Sequence, residues 1–365
     1  MRIANIEAIP LRIPFTHGGR SAGWSGLSWN QLDTVLVKVE TDTGLIGYGE
    51  AFAYSCARAV VAAIEDMIAP LVVGRDARSP GGLLDELQQK LHLFGRYGIT
   101  MFALSGLDIA LWDLAGKDAG LPLHRLLGGA VRDTVPGYAS LFKYADPELV
   151  AAKTTAALED GYQFVKLHET AEAEVRAARE AAGDGVPIMV DTNCPWTPAQ
   201  AKEMANRLKP YNIAWLEEPI FPPENFAALA ALQKECGVPL AAGENACTLY
   251  EFAKMFEAGA VTFGQPSVTK VGGIGEFRKV AMLAEISNVT VMPHSPYFGP
   301  GFLATLHLLS AMPDETLSER FYVTAEAYLY GSAVDAVDGR FAVPSGPGLG
   351  IEPDPTVISD FRVTF

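Results

Sequence analysis

PIMVDTNCPWTPAQAKEMANRLKPYNIAWLEEP, residues 187–219, holds the pattern on which the fold turns. A short β-rich run, IMVD, ends on Asp191, and a second, AWLE, ends on Glu217. An amphipathic helical stretch lies between them. The unit recurs. From about residue 130, YASLF, FVKLH, IMVDTN, AWLEEP, LAAGEN, VTFGQPS, TVMPHSP and ERFYV alternate with helical stretches, and a polar residue near the end of each falls at 140, 168, 191, 217, 244, 267, 294 and 319. Eight such units at intervals of 23 to 28 residues predict an α/β fold, a closed (β/α)8 TIM-type barrel of parallel strands with helical crossovers. No helical pattern follows ERFYV, so closure there rests on the count.

The first third has a different rhythm. RIANIEAIPLRI and TVLVKVETDTGLIGYGEA read as strands, the second with a turn at Thr43-Gly44. Between them THGGRSAGWSGLSWN, residues 16–30, is polar, glycine-rich and too long for a tight hairpin, which makes it a candidate flap. In ALSGLDIALWDLAGKDAGLPL the leucines at 104, 107, 111 and 114 recur at helical spacing, and Gly120 with Pro122 marks the stop. Strands followed by helices predict a separate α+β domain over residues 1–128, ahead of the barrel at 129–330.

Composition narrows the partners. The formal charge is −15, with 49% hydrophobic and 19% charged residues, an ordinary globular balance that argues against nucleic acid or an anionic membrane surface. A small carboxylate would have to be held by a metal or by local lysines. No window approaches the ~18 apolar residues of a membrane span, and MRIANIEAIP has no apolar signal core. Cys56, Cys194, Cys236 and Cys247 show no CxxC spacing, so a reducing, cytoplasmic setting is expected.

In a barrel of this kind the carboxyl ends of the strands carry the active site. Asp191, Glu217 and Glu244 end three consecutive strands. Neighbouring strands lie roughly 4.8 Å apart, so the three acids converge and repel one another unless a cation lies between them. All-oxygen ligation suits Mg²⁺, with Mn²⁺ the alternative. On the second strand Lys166 and His168 are two apart, so they share a face with Leu167 on the other.

The contexts VDTN, LEEP and GEN, together with GYGEA, SGLDIALWDLAGK, TKVGG, PHSPYFGPG and GPGLGIEPD, resemble the enolase superfamily, specifically its mandelate racemase-like branch, over essentially the whole chain. The resemblance implies a capping domain whose loops close over the barrel mouth, completed by a C-terminal segment, residues 331–365. It also implies one Mg²⁺ and a common first step, removal of the proton α to a carboxylate. That step creates two negative oxygens, which a divalent metal and a lysine stabilise where the charge develops.

The chain departs from the family pattern in two places. The second strand usually ends Lys-x-Lys; here it is Lys166-Leu167-His168. By position Lys166 faces the substrate carboxylate and His168 replaces the base, a role imidazole can fill. His294, in VMPHSPYFGP, resembles the histidine of the sugar-acid dehydratases, where an aspartate ending strand six orients it; Ser267 stands at that aspartate's place. Without a carboxylate partner His294 is weaker as a base and is expected to serve as the general acid. Glu319 matches the acid that supports enolisation; a surface glutamate beside Arg320 is the other reading. Lys270 matches a family lysine after strand six, with a solvated lysine as its alternative, and Asn193 faces the metal or substrate. Arg20, Trp24 and Trp29 on the flap, with Tyr297 and Trp196, are candidate substrate-binding or covering residues, or plain packing.

A Mg²⁺-dependent dehydratase turning a hydroxy or sugar acid into a 2-keto acid is therefore expected, in a homo-oligomer. A racemase or epimerase in which the two histidines exchange one proton is the alternative, and a non-catalytic metal-binding barrel the distant one.

Overall fold

The computed structural model describes residues 1–19, 23, 24 and 27–365. Eight short parallel strands form the barrel sheet: Thr134–Ser140, Val165–Leu167, Ile188–Asp191, Trp215–Glu217, Leu240–Ala242, Phe263–Gly264, Thr290–Val291 and Ser318–Phe321. They run in sequence order from the first to the seventh, and the eighth pairs with the first. Between the seventh and eighth no ladder pairing occurs among the described residues. A side chain makes the join: the Ser295 N–H donates to Glu319 Oε2 and the Glu319 N–H to Ser295 Oγ, both at 3.1 Å.

Local chemistry sets the helices that return the chain to the next strand. Asp146, Thr197, Asn225 and Thr248 cap four of them by accepting first-turn N–H groups, Thr197 through a capping box with Gln200. No α-helix follows the eighth strand until Pro355–Phe361; a short 3-10 turn, Gly331–Val334, comes instead. Beneath the mouth Tyr138, Met189, Trp215 and Ala241 pack together inside the barrel. Tyr138, Met189 and Trp215 lie two residues before Ser140, Asp191 and Glu217, so the pleat turns each pair inward, one layer above the other. Burying such side chains stabilises the floor of the site by about 1.5–3 kcal/mol each.

The N-terminal unit is an antiparallel sheet of Ile3–Thr16, Gln31–Thr41 and Ile46–Phe52. Its outer edge is joined by Thr324–Ala325, just past the eighth barrel strand. Helix Ile99–Ala119 packs on Ile46–Phe52 so closely that a Cβ at Gly47 would strike the Ala110 carbonyl and one at Gly49 the Gly106 carbonyl. That is why this strand reads IGYGEAF. The helix corrects one expectation: it is long and apolar enough to cross a membrane, which no window was expected to be. Its most apolar 18-residue window is 83% buried within the protein, as an all-round apolar core helix should be.

The C-terminal segment divides. Arg340–Ala342 pairs antiparallel with the first barrel strand rather than with the capping sheet. Further on, Leu349 N–H donates to Asp113 and Val363 N–H to the Pro10 carbonyl, so the chain ends on the capping domain.

Candidate active site

The strand register sets the acids side by side. Asp191 pairs with Glu217 and Ala241 with Glu217, so the first two acids lie side by side and Glu244 reaches them from two residues beyond the end of strand Leu240–Ala242. One carboxylate oxygen from each of Asp191, Glu217 and Glu244 lies within 4.8 Å of the other two, and all three residues are buried. The turns that follow are tight: Asn193, Cys194 and Glu218 take φ of 51°, 56° and 44°. Such left-handed conformations cost side-chain-bearing residues energy and gather at functional sites. Asn193 N–H donates to Asp191 Oδ1 at 2.9 Å and Trp215 Nε1–H to Glu217 Oε2 at 2.9 Å, so each acid is held through one of its oxygens.

Lys166 is fully buried beneath this group. Its Nζ lies 2.9 Å from Glu217 Oε1, 2.8 Å from Glu319 Oε1 and 3.4 Å from Asp191 Oδ2. Burial opposes its charge, but the surrounding carboxylates win and raise its pKa. Four acids against one ammonium leave negative charge uncompensated. Burial, with Asp191 and Glu319 adding to it against the pull of Lys166, pushes Glu217 well up. Three carboxylates and no softer donor suit a hard divalent ion, and a +2 charge answers this excess. Asp191, Glu217 and Glu244 are the residues that would hold it.

A histidine flanks the triad on each side. His168 Nδ1 is 2.6 Å from the Leu141 carbonyl, so that nitrogen carries hydrogen and Nε2 faces Asp191 Oδ2 at 3.3 Å. Burial lowers the His168 pKa, but Asp191 outweighs it and the net shift is upward. His294 Nε2 lies 2.8 Å from Glu244 Oε2. Burial lifts Glu244, yet His294 holds it down at about 2. On its other side His294 Nδ1 is 3.3 Å from the Tyr297 hydroxyl, which in turn contacts Ser267 Oγ. The position expected to carry an orienting aspartate thus presents a relay of hydroxyls.

The chain belongs to the mandelate racemase / muconate lactonizing enzyme family. Residues 24–128 match its N-terminal domain, and 149–357 match the domain described as enolase C-terminal domain-like. Arabinonate dehydratase from Saccharolobus solfataricus is 32% identical over 337 residues, 89% of each chain. A 3,6-anhydro-alpha-L-galactonate cycloisomerase from Streptomyces coelicolor is 34% identical, covering 87% of this chain and 88% of that one. A solved racemase from Streptomyces coelicolor with bound magnesium superposes with a TM-score of 0.88 at 29% identity over 99% of this chain and all of its own. The chain is thus an enolase-superfamily enzyme with its family's two-part fold.

Above the triad opens a cavity of about 340 Å³, lined on its reactive side by His168, Asn193, Glu244, Lys270, His294 and Glu319. Lys270 holds its ammonium 4.8 Å from the centre of the Phe52 ring. Lys166, Ser267 and Tyr297 do not line it: the first lies below the acids and the other two stand behind His294. Trp196 is not at the cavity, whereas Trp29 is. Arg20 lies outside the described residues, as does the side chain of Trp24. Phe52, Tyr54, Phe102, Phe142, Lys143, Asn245 and Phe321 also line the cavity and were missed from sequence. A signal existed for two of them: Phe142 follows Ser140, and Phe321 follows Glu319, by the two residues that keep a side chain on the same face.

Proposed function

We propose that the protein is a Mg²⁺-dependent dehydratase that removes the α-proton of a hydroxy carboxylic acid and then its β-hydroxyl, giving a 2-keto acid. The observation that carries this reading is the pair of histidines, His168 and His294, lining one cavity on opposite sides of the acid triad. Magnesium would supply positive charge for the substrate carboxylate as the α-carbon loses its proton. The remaining work belongs to the chain's own side chains. His168, with Nδ1–H held by Leu141, presents Nε2 to take the proton. Lys166 places a fixed positive charge under the carboxylate end, and Glu319 holds that ammonium in place while itself accepting from Ser140 Oγ and the Ser295 N–H. His294 gives its proton to the departing hydroxyl, so the C–O bond breaks as water forms and the resulting enol becomes the keto acid. A proton donor needs no carboxylate behind it, and the Tyr297 hydroxyl suffices to orient the ring. Lys270 and Asn193 border the substrate.

A racemase uses the same two sides, but each histidine must then serve as base in turn. His168 Nδ1–H is fixed by the Leu141 carbonyl, whereas His294 Nδ1 meets the Tyr297 hydroxyl; this asymmetry favours elimination, in which the two histidines play different parts. All four cysteines are free, in keeping with a reducing, cytoplasmic setting.

The test is turnover in D₂O with Mg²⁺ and a pool of 2,3-dihydroxy acids, followed by mass. Wild-type enzyme should release water from one of them. His294→Ala should still exchange the α-hydrogen for deuterium without forming keto acid, whereas His168→Ala should do neither. α-Exchange without loss of water in the wild type, on every acid that reacts, would make the protein a racemase or epimerase.

A further inference from the structure

We infer that the substrate's distal group is aromatic rather than a chain of hydroxyls, an inference that rests on the enolising reading of the reactive side. The far wall of the cavity is built from rings. Phe102 packs 5.0 Å from Phe52, Phe52 4.8 Å from Tyr54, and Tyr54 5.0 Å from Trp29; Trp29 then stacks on Phe321 at 5.3 Å and lies 5.7 Å from Phe142. These six side chains come from the capping strand and helix, the flap's end, and the first and eighth barrel strands, and they meet only here.

The wall's two polar handles are already committed. The Tyr54 hydroxyl donates to the Pro296 carbonyl at 2.6 Å and the Trp29 indole N–H to the Gln31 carbonyl at 2.8 Å. Apart from the Lys270 ammonium over the Phe52 ring, a substrate therefore meets ring faces and edges on this side. Among the described lining residues the polar groups besides the two histidines, Glu244 and Glu319 are Asn193, Lys270, Lys143 and Asn245, and the last two are exposed at the rim. A polyhydroxylated tail would leave its hydroxyls facing carbon, stripped of water and unpaired. A flat ring would instead trade water for offset and edge-to-face contacts. The relatives described above are named for arabinonate and 3,6-anhydro-alpha-L-galactonate; the wall described here points to a different tail on a 2-hydroxy carboxylate head.

Equilibrium binding tests this without requiring turnover. Calorimetric titration of the Mg²⁺-bound protein with 3-phenyllactate and with arabinonate compares two tails on one head group. Phenyllactate should bind tighter by roughly tenfold or more, the scale on which an apolar pocket discriminates. In Trp29→Ala, checked for an unchanged melting midpoint, most of that preference should disappear. Arabinonate binding as tightly or more tightly, or neither acid saturating the site, would overturn the assignment. α-Deuterium exchange on bound phenyllactate separates the two readings. Preferential binding with no exchange leaves the aromatic assignment standing and removes the enolising chemistry. Exchange confined to arabinonate does the reverse.

Discussion

Two groups of buried acids divide the labour of this molecule. In the capping domain Glu50 accepts the Gly301 N–H at 2.8 Å and Asp108 the Gly275 N–H at 3.0 Å, each at the first turn of a barrel helix, Pro300–Ala311 or Gly273–Ile286. Asp113 accepts from Leu349 N–H at 2.8 Å and Tyr48 N–H at 2.9 Å, with Lys117 Nζ 2.9 Å away. Each of these acids has backbone donors of its own, and for Glu50 and Asp108 the positive end of a helix. At the barrel mouth Asp191, Glu217 and Glu244 face one another. Burial is the same in both groups; the charge of the neighbours differs. An acid surrounded by N–H groups fastens two domains, while acids aimed at each other wait for a cation.

The strongest way to break this comparison is Glu217→Gln. Magnesium binding and turnover should both be lost, with kcat down on the order of 1,000-fold or more. The metal-free variant should nevertheless be as stable as wild type or more so, because the change removes self-repulsion. Magnesium at a hundred times its Kd should stabilise wild type by about 2.7 kcal/mol, a shift absent in the variant. Thermal melts with and without the ion read both. A variant that unfolded more easily without metal would place Glu217 with the fastening acids.

Asp113→Ala is the converse. It strands two N–H groups, while Lys117 keeps Glu352 and the Ile46 carbonyl as partners, so the change should cost about 2–4 kcal/mol in urea unfolding. kcat of the folded fraction should hold.

Much of this was legible in the sequence because the barrel repeats: a polar residue closing each strand every 25 or so positions marks both the fold and the three acids that converge at its mouth. What repeats can be counted; depth and company cannot. The spacing put Lys166 on one face with His168 but not at its depth: its ammonium is fully buried among Asp191, Glu217 and Glu319, and spacing gives a face but not a height within the barrel. The Ser267 position showed that the dyad aspartate is missing, but not that Tyr297 fills the gap. The aromatic wall was harder still. Phe52 and Phe102 come from a capping strand and a capping helix, and each alone looks like a core residue.

Glu50 sharpens the comparison through pH. Burial, only partly offset by the Gly301 N–H, lifts its pKa from 4.5 to about 7. Between those values the folded protein keeps a proton that the unfolded chain has lost, so stability falls as pH rises through that window and levels off above it. The contribution is at most about 3 kcal/mol. Asp108, lifted likewise by burial to about 7, adds a similar slope. Glu50→Gln keeps an oxygen for the Gly301 N–H, so unfolding measured from pH 5 to 8 should lose Glu50's share and retain that of Asp108. An unchanged slope would mean that Glu50 is already ionised within the interface.

The finest distinction lies at His294, which has an acid on one side and only a hydroxyl on the other. Tyr297→Phe removes that hydroxyl and leaves Ser267 without its partner, while the ring that packs beside His294 remains. If Tyr297 merely fills space, nothing should change. If it orients the imidazole for proton donation, kcat for dehydration should fall about tenfold, the equivalent of one hydrogen bond of about 1.4 kcal/mol. KM should stay put, because Tyr297 does not reach the cavity, and α-deuterium exchange should proceed at the wild-type rate if, as proposed, that step belongs to His168. A matching fall in exchange would instead tie Tyr297 to the whole site, and the division of work between the two histidines would fail with it.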